Sequence, residues 1–150
     1  DMERLLRESV GRFGETDEGS KQPIGLNVEP GHALADGGRL RQVIRNLLVN
    51  AASYSEPNQP IEVTGRPWGT DGYEIAVSDR GPGIAPADRA KIFEPFFTKR
   101  AGGSGLGLSV CMGIARAHGG TIVVENNPGG GATFRVRIPG AATEAQELAS

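Results

Sequence analysis

Cysteine is almost missing from this sequence. Cys111 stands alone among 150 residues, which excludes an internal disulfide framework and a cysteine-based zinc site. A dominant charge is missing too. The 16 basic and 18 acidic side chains leave a formal charge of −2. Lys and Arg are scattered rather than clustered, so electrostatics lends nothing to a nucleic-acid or membrane-surface role. No apolar run approaches the length of a membrane span, and no signal peptide opens the chain. The length suits one domain with a real core and leaves no room for two. The first residue is Asp1, not Met, so the chain reads as a piece of a longer protein. What is abundant is glycine: 23 residues, about twice average usage. The glycines fall in bursts, which points to a backbone shaped for a purpose.

Periodicity supplies the elements. Met2, Leu5, Leu6, Val10 and Phe13 predict an amphipathic helix over residues 2–13. Ile24 to Val28 alternates as a short strand. Asp36 can cap a second helix, whose stripe is Leu40, Val43, Ile44, Leu47, Leu48 and Ala51 and which ends near Tyr54. Strands follow around Ile61 and Val63 and over Tyr73 to Ser78, with 67–72 as the hairpin loop. Pro86 to Phe93 predicts a short helix with Pro near its start. Glu94 to Gly103 reads as a loop. A third long helix runs from about Leu106 to His118 and stops at Gly119-Gly120. Thr121 to Glu125 and Ala132 to Ile138 complete five strands, joined by an Asn-Asn-Pro-Gly-Gly-Gly turn. The strand pairs read as hairpins rather than β–α–β crossovers. The fold class is therefore α/β of the α+β kind: a two-layer sandwich with a mostly antiparallel sheet covered on one face by helices. Residues 140–150 carry no pattern and read as a disordered tail.

Three segments could carry chemistry. Asn46 and Asn50 lie one helical turn apart, about 40° from each other at the border of the apolar stripe. Such amides suit a pocket beside the sheet and could offer an oxygen to a hard cation such as Mg²⁺. Taken alone, they suit a bond to a neighbouring loop better. Asp79-Arg80-Gly81-Pro82-Gly83 follows a strand directly. A carboxylate there can accept from an exocyclic amine, although the segment by itself is also a plain turn. Gly102-Gly103-Ser104-Gly105-Leu106-Gly107-Leu108 opens the third helix, and its exposed N–H groups form a ready anion site. It is neither a Walker motif nor a dinucleotide fingerprint. Together the three ask for a divalent-metal nucleotide, with the base near Asp79, the phosphates near Gly105 and Gly107, and the metal at Asn50.

The order of these segments resembles the GHKL ATPase superfamily, and within it the catalytic ATP-binding domain of two-component sensor histidine kinases. The resemblance covers residues 1–139. The N box is similar to Asn46-Leu47-Leu48-Val49-Asn50-Ala51, the G1 box to Asp79–Ile84, the F box to Ile92–Phe97 and the G2 box to Gly103–Leu108; Gly131-Ala132-Thr133-Phe134 also fits. The implied architecture is a Bergerat-type sandwich, with three main helices on one face of a mixed, mostly antiparallel five-stranded sheet. The implied cofactors are ATP and Mg²⁺. Asn50 would coordinate the metal and Asn46 would support it. Asp79 would accept from the adenine amino group, with Gly83 and Thr133 near the base and Gly81 and Ile84 in the same loop. Tyr54 would pack on the ring. Gly103, Gly105, Leu106 and Gly107 would offer N–H groups to phosphate, with Ser104 and Leu108 beside them. Residues 94–105 would form a lid from which Lys99 or Arg100 could reach the γ-phosphate; a solvated Lys-Arg pair is an equal alternative.

Two positions tilt the chemistry. Gyrase-type and MutL-type relatives, which hydrolyse, place Glu four residues before the metal Asn. Here that position is Asn46, which cannot act as a base. The resemblance thus implies transfer of the γ-phosphoryl group to a histidine, which is itself a nucleophile. Many members carry Lys three residues after the metal Asn, where this chain has Ser53; a nucleotide-sensing module without transfer is the alternative this leaves. Neither His32, in a turn region, nor His118, at a helix end where a partial positive charge suits the dipole, looks like an acceptor. The isolated chain is therefore expected to bind ATP without phosphorylating itself. The implied partners are its own upstream phosphoacceptor and dimerisation domain and a response regulator receiver domain, with no nucleic acid. The parent is expected to be a homodimer and this piece a monomer. A cytoplasmic location is expected, with any membrane anchor of the parent lying in other regions.

Overall fold

The computed structural model describes residues 1–17, 19–33, 35–95, 97 and 107–140. In order come α1 (Met2–Gly14), a short 3₁₀ turn (Gly19–Lys21), β1 (Ile24–Val28), α2 (Gly37–Tyr54), β2 (Ile61–Trp68), β3 (Gly72–Ser78), α3 (Gly107–Ala117), β4 (Thr121–Asn126) and β5 (Ala132–Ile138). The strands form one sheet in the order β1-β2-β3-β5-β4.

The helices form where the periodicity places them, and local chemistry fixes their starts. The Asp1 carboxylate accepts from the Arg4 N–H and caps α1. Asp36 does the same for α2 through the Arg39 N–H, 3.1 Å away. Each cap satisfies an orphan donor of the first turn. The α2 stripe is buried along its length and meets the inward residues Ile61 and Val63 of β2, Tyr73, Ile75 and Val77 of β3, and Phe134, Val136 and Ile138 of β5. Alternation along the strands puts every second residue on this face. Helix α1 lies against β1 and β2, α2 against β3, and α3 against β4 and β5. At Gly65 a Cβ would meet Leu6 and the Tyr73 hydroxyl, so α1 and β2 approach only because that residue is glycine. Tyr73 donates from that hydroxyl to the Glu29 carbonyl at 2.6 Å. Burial, with the Glu29 and Glu3 charges adding, pushes its phenol up to about 12.

The uncovered face is polar. Glu74 sits on it yet is only 2% exposed, because three arginines cover it. Its Oε1 accepts from Arg66 at 3.1 Å and Arg135 at 3.3 Å, and its Oε2 from Arg137 at 2.8 Å. The Arg137 guanidinium also lies over the Trp68 ring, 5.6 Å from its centre. Burial works to raise the Glu74 pKa. The Arg137 hydrogen bond and the Arg66, Arg135 and Arg137 charges outweigh it and hold the carboxyl below its ordinary range.

Three expectations are corrected. The sheet is mixed, but its connections are not all hairpins: β1 and β2 pair in parallel, Ile24 opposite Ile61, and α2 crosses between them. At 18 residues that helix is about 27 Å long, enough to return the chain to the end of the sheet from which β1 started. Secondly, β2 continues through Pro67 and Trp68, so the hairpin loop is only 69–71. The pairing with β1 stops at Val28 opposite Gly65; beyond it β2 has a free edge, where a proline without an N–H is tolerated. Thirdly, 86–93 is a chain of turns, not a helix. Asp88 N–H bonds Ala85 O and Lys91 N–H bonds Asp88 O, with a single longer loop from Ile92 N–H to Asp88 O. Buried Ile92 and the edge-to-face pair Phe93–Phe134, centroids 6.3 Å apart, pin the segment, but two anchors do not offset helix nucleation.

Candidate functional site

Strand β3 ends at Ser78, and the next residue is the centre of the site. Asp79 is 5% exposed. Its Oδ1 accepts the Gly81 N–H at 2.9 Å and the Ala132 N–H at 3.2 Å, while its own N–H bonds the Ala132 carbonyl. Among the described residues Oδ2 accepts no hydrogen bond. Burial raises the Asp79 pKa, and the two N–H bonds oppose that. The carboxylate is thus fixed by one oxygen and has the other to offer.

The loop 79–84 needs its glycines. A Cβ at Gly81 would strike the Tyr54 carbonyl, so the end of α2 and this loop touch backbone to backbone. Gly83 has φ +79 and Gly131 has φ +91, both in the left-handed region. A Cβ on Gly131 would also run into the Asp79 carbonyl. Ile84 is half-buried; its N–H donates to Asn126 Oδ1 at 2.8 Å, and its carbonyl accepts from Asn126 Nδ2 at 2.9 Å.

On α2, the Asn46 amide donates to the Gly107 carbonyl at 3.4 Å and so ties α2 to the first residue of α3. It also faces Cys111, whose thiol is pushed up to about 12 by burial, against the pull of that amide. Asn50 is half-buried, and among the described residues its side chain bonds to none. Ser53 donates to the Val49 carbonyl of its own helix at 2.7 Å. Tyr54, half-buried, closes the helix beside Gly81. Leu108 is half-buried in the first turn of α3.

The structure therefore gathers Asn46, Asn50, Tyr54, Asp79, Gly81, Gly83, Ile84, Gly107 and Leu108 at one end of the molecule, where α2 and α3 meet the sheet. Thr133 is placed differently. Its hydroxyl lies 2.7 Å from Ser78 Oγ and donates to Asn127 Oδ1 at 2.6 Å, on the uncovered side of the sheet. On β5 it is the Ala132 main chain that meets the Asp79 carboxylate. Lys99, Arg100, Gly103, Ser104, Gly105 and Leu106 lie outside the described residues. A cavity of about 430 Å³ opens on the other side of Asp79, between Pro60, Glu62, Ser78, Arg80, Asn127, Gly129 and Gly130; of the expected site it shares only Asp79.

In the sequence Asn126 and Asn127 open a turn; in the structure they do more. Asn127 Nδ2 donates to the Asp79 carbonyl at 3.1 Å, so both asparagines grip the Asp79 loop. An Asn pair is a signal for side-chain bonds to backbone, but these partners lie more than 40 positions away in the chain. His118 is structural, as expected, though not as a cation. Its Nε2 accepts the Asp36 N–H at 3.1 Å while Nδ1 faces the Ile114 carbonyl at 2.8 Å. One nitrogen accepts and the other donates, which is the neutral ring.

These features fit a nucleotide held with a divalent ion. A buried carboxylate has one oxygen to offer, α2 carries a half-buried amide that bonds to no described residue, and glycines shape the loop after β3. Comparison with known proteins points to the nucleotide. The model of the histidine kinase-, DNA gyrase B- and HSP90-like ATPase family matches residues 35–142. The sensor-like histidine kinase SenX3 of Mycolicibacterium smegmatis is 36% identical over 146 residues, covering 93% of this chain and 38% of SenX3. The mycobacterial sensor histidine kinase MprB superposes with a TM-score of 0.85 at 30% identity, over 93% of this chain and 95% of that one. Full-length ShkA in complex with AMPPNP gives 0.81 at 33%, over 93% and 30%. The histidine kinase ThkA, in complex with the response regulator TrrA, gives 0.80 at 31%, over 96% and 42%. The chain belongs to the histidine kinase-, DNA gyrase B- and HSP90-like ATPase family, and it is similar to the ATPase domain of sensor histidine kinases. It spans well under half the length of SenX3. Among the described residues no helix is long and apolar enough to cross a membrane.

Proposed function

We propose that this domain binds Mg-ATP and donates the γ-phosphoryl group to a histidine of a phosphoacceptor and dimerisation domain outside this chain, from which a response regulator receives it. The observation that carries the reading is Asp79: a buried carboxylate with one oxygen locked by main-chain N–H groups and the other open, beside a loop that only glycines can form. In this reading Oδ2 accepts from the adenine amino group, and Tyr54, Gly81, Gly83 and Ile84 bound the base. Asn50 holds Mg²⁺, which when bound neutralises phosphate charge. Asn46 acts through α3, fixing Gly107 and so the start of the phosphate loop 103–108. Lys99 is assigned to the γ-phosphate. Thr133 is assigned to the base end indirectly, through Asn127.

The transfer itself needs little from the domain. An imidazole nitrogen of the acceptor attacks the γ-phosphorus, the bond to the β–γ bridging oxygen breaks, and ADP leaves with that electron pair. The acceptor ring then loses its proton to solvent. No base on α2 is required, in keeping with Asn46, whose amide is committed to Gly107. Ser53 favours a second reading. Its hydroxyl donates to the Val49 carbonyl and brings no positive charge to the phosphates as a lysine would; the second reading is a module that binds nucleotide without transferring it. In this chain His118 is occupied by the fold and His32 is exposed in a loop.

The deciding experiment uses γ-labelled ATP with this chain alone and with a chain extended through the upstream segment. Acid-labile label on the extended chain only is the expected result. Label on the chain alone contradicts the acceptor assignment, and no label on either, with ATP still bound, favours the binding module. Asn50→Asp is expected to change the Mg²⁺ dependence of ATP affinity; an unchanged dependence removes Asn50 from the metal.

A further inference from the structure

We infer that Asn126 and Asn127 are positioning residues that set the purine selectivity of the Asp79 loop. The inference rests on the nucleotide-binding reading above and goes beyond it to residues that the resemblance leaves without a role. Beyond Asp79, which still bonds Ala132 at the start of β5, residues 80–84 leave the sheet, and among the described residues no strand pairs with them. A carboxamide has the donor and acceptor of a peptide unit, and Asn126 uses both on one residue: its oxygen accepts the Ile84 N–H at 2.8 Å and its nitrogen donates to the Ile84 carbonyl at 2.9 Å. The side chain thereby stands in for the missing neighbouring strand and pins the far end of the loop. A Cβ at Gly83 would come within 3.0 Å of that same Asn126 oxygen, so the contact is tight.

Asn127 pins the near end. Its nitrogen donates to the Asp79 carbonyl at 3.1 Å. Its oxygen accepts the Thr133 hydroxyl, which is paired with Ser78, so the amide is held in one orientation by β3 and β5 together. The loop is thus fastened at residues 79 and 84 by consecutive side chains of one hairpin. Between the two fastenings it contains Gly81 and Gly83, which have little stiffness of their own. Discrimination between bases requires that the open Asp79 oxygen stay in one place. Adenine presents an amino donor to it, whereas hypoxanthine presents a carbonyl that repels it. Loosening the loop should erode that discrimination more than it erodes the grip on phosphates.

Calorimetry with ADP, IDP and Mg-tripolyphosphate tests this on wild type, Asn126→Ala and Asn127→Ala. Glu74→Gln serves as a control, because it weakens the fold at a distance from the loop. Wild type is expected to prefer ADP over IDP at least tenfold. Either alanine variant is expected to lose about three- to tenfold in ADP affinity, the worth of a small hydrogen-bond set. IDP and tripolyphosphate should stay within about twofold of wild type, so the ADP-to-IDP ratio narrows, while Glu74→Gln keeps it. Wild-type selectivity in both alanine variants, or an equal loss for all three ligands, overturns the inference. Absence of ADP binding by folded wild type overturns the nucleotide reading itself, which keeps the two failures apart.

Discussion

At the scale of single residues, Asp79 and Glu74 show two ways to bury a carboxylate. Asp79 is buried with neutral partners, so its pKa rises. A raised carboxyl pKa means that its contribution to stability is full at low pH and is lost as pH rises through the folded value. The ionised form, which the proposed adenine contact requires, thus costs the fold something. Asp79→Asn keeps an oxygen for the Gly81 and Ala132 N–H groups but turns an amide donor toward the base. We expect ATP affinity to fall ten- to hundredfold, about 1.5–3 kcal/mol, with a thermal midpoint no lower than wild type. Wild-type affinity should also weaken on acidification through the Asp79 titration, and the variant should lack that dependence; titrations at several pH values check both. Glu74 behaves oppositely. Its lowered pKa gives stability that is present above the ordinary carboxyl pKa and is lost as pH falls through the folded value. Glu74→Gln leaves Arg66, Arg135 and Arg137 without their shared partner. It should lower stability by about 2 kcal/mol at neutral pH, with the gap to wild type closing in acid. Denaturant curves at two pH values measure it.

At the scale of elements, α2 joins the core to the site. Its inner stripe packs on the sheet, and its flank carries Asn46 and Asn50. Ile44 is fully buried, so Ile44→Ala should cost about 2–5 kcal/mol, seen as an earlier unfolding midpoint. Nucleotide affinity should hold at temperatures where the variant is folded, because Ile44 lies off the Asn46–Asn50 flank. This helix was legible in the sequence to its first and last residues, since a long apolar stripe with an Asp cap leaves little choice. Residues 86–93 were not. Proline near the start and apolar residues near the end suit a helix and a pinned turn alike, and only the packing of Ile92 and Phe93 separates them. The parallel pairing of β1 with β2 was hidden for a similar reason: alternation marks a strand but says nothing of its direction. At the site, Asp79 and the glycines could be read from their local pattern. The bonds from Asn126 and Asn127 could not, because they join a turn to a loop far away in sequence.

At the scale of the whole molecule, the three α-helices and five strands among the described residues leave one end where the tips of α2 and α3, the end of β3 and the β4–β5 turn converge. The chain spans 38% of SenX3, and under the proposed function it supplies the part that grips and presents the nucleotide. Its net charge of −2 suits neither a polyanion surface nor strong self-repulsion. The central claim is that this end takes up ATP with a divalent ion through Asp79. Isothermal titration of the folded chain with ATP, with and without Mg²⁺, tests it most directly. Heat of binding that grows with Mg²⁺ and is sharply reduced in Asp79→Asn is the predicted result; no heat from a chain shown to be folded, or equal heat in the variant, would contradict it.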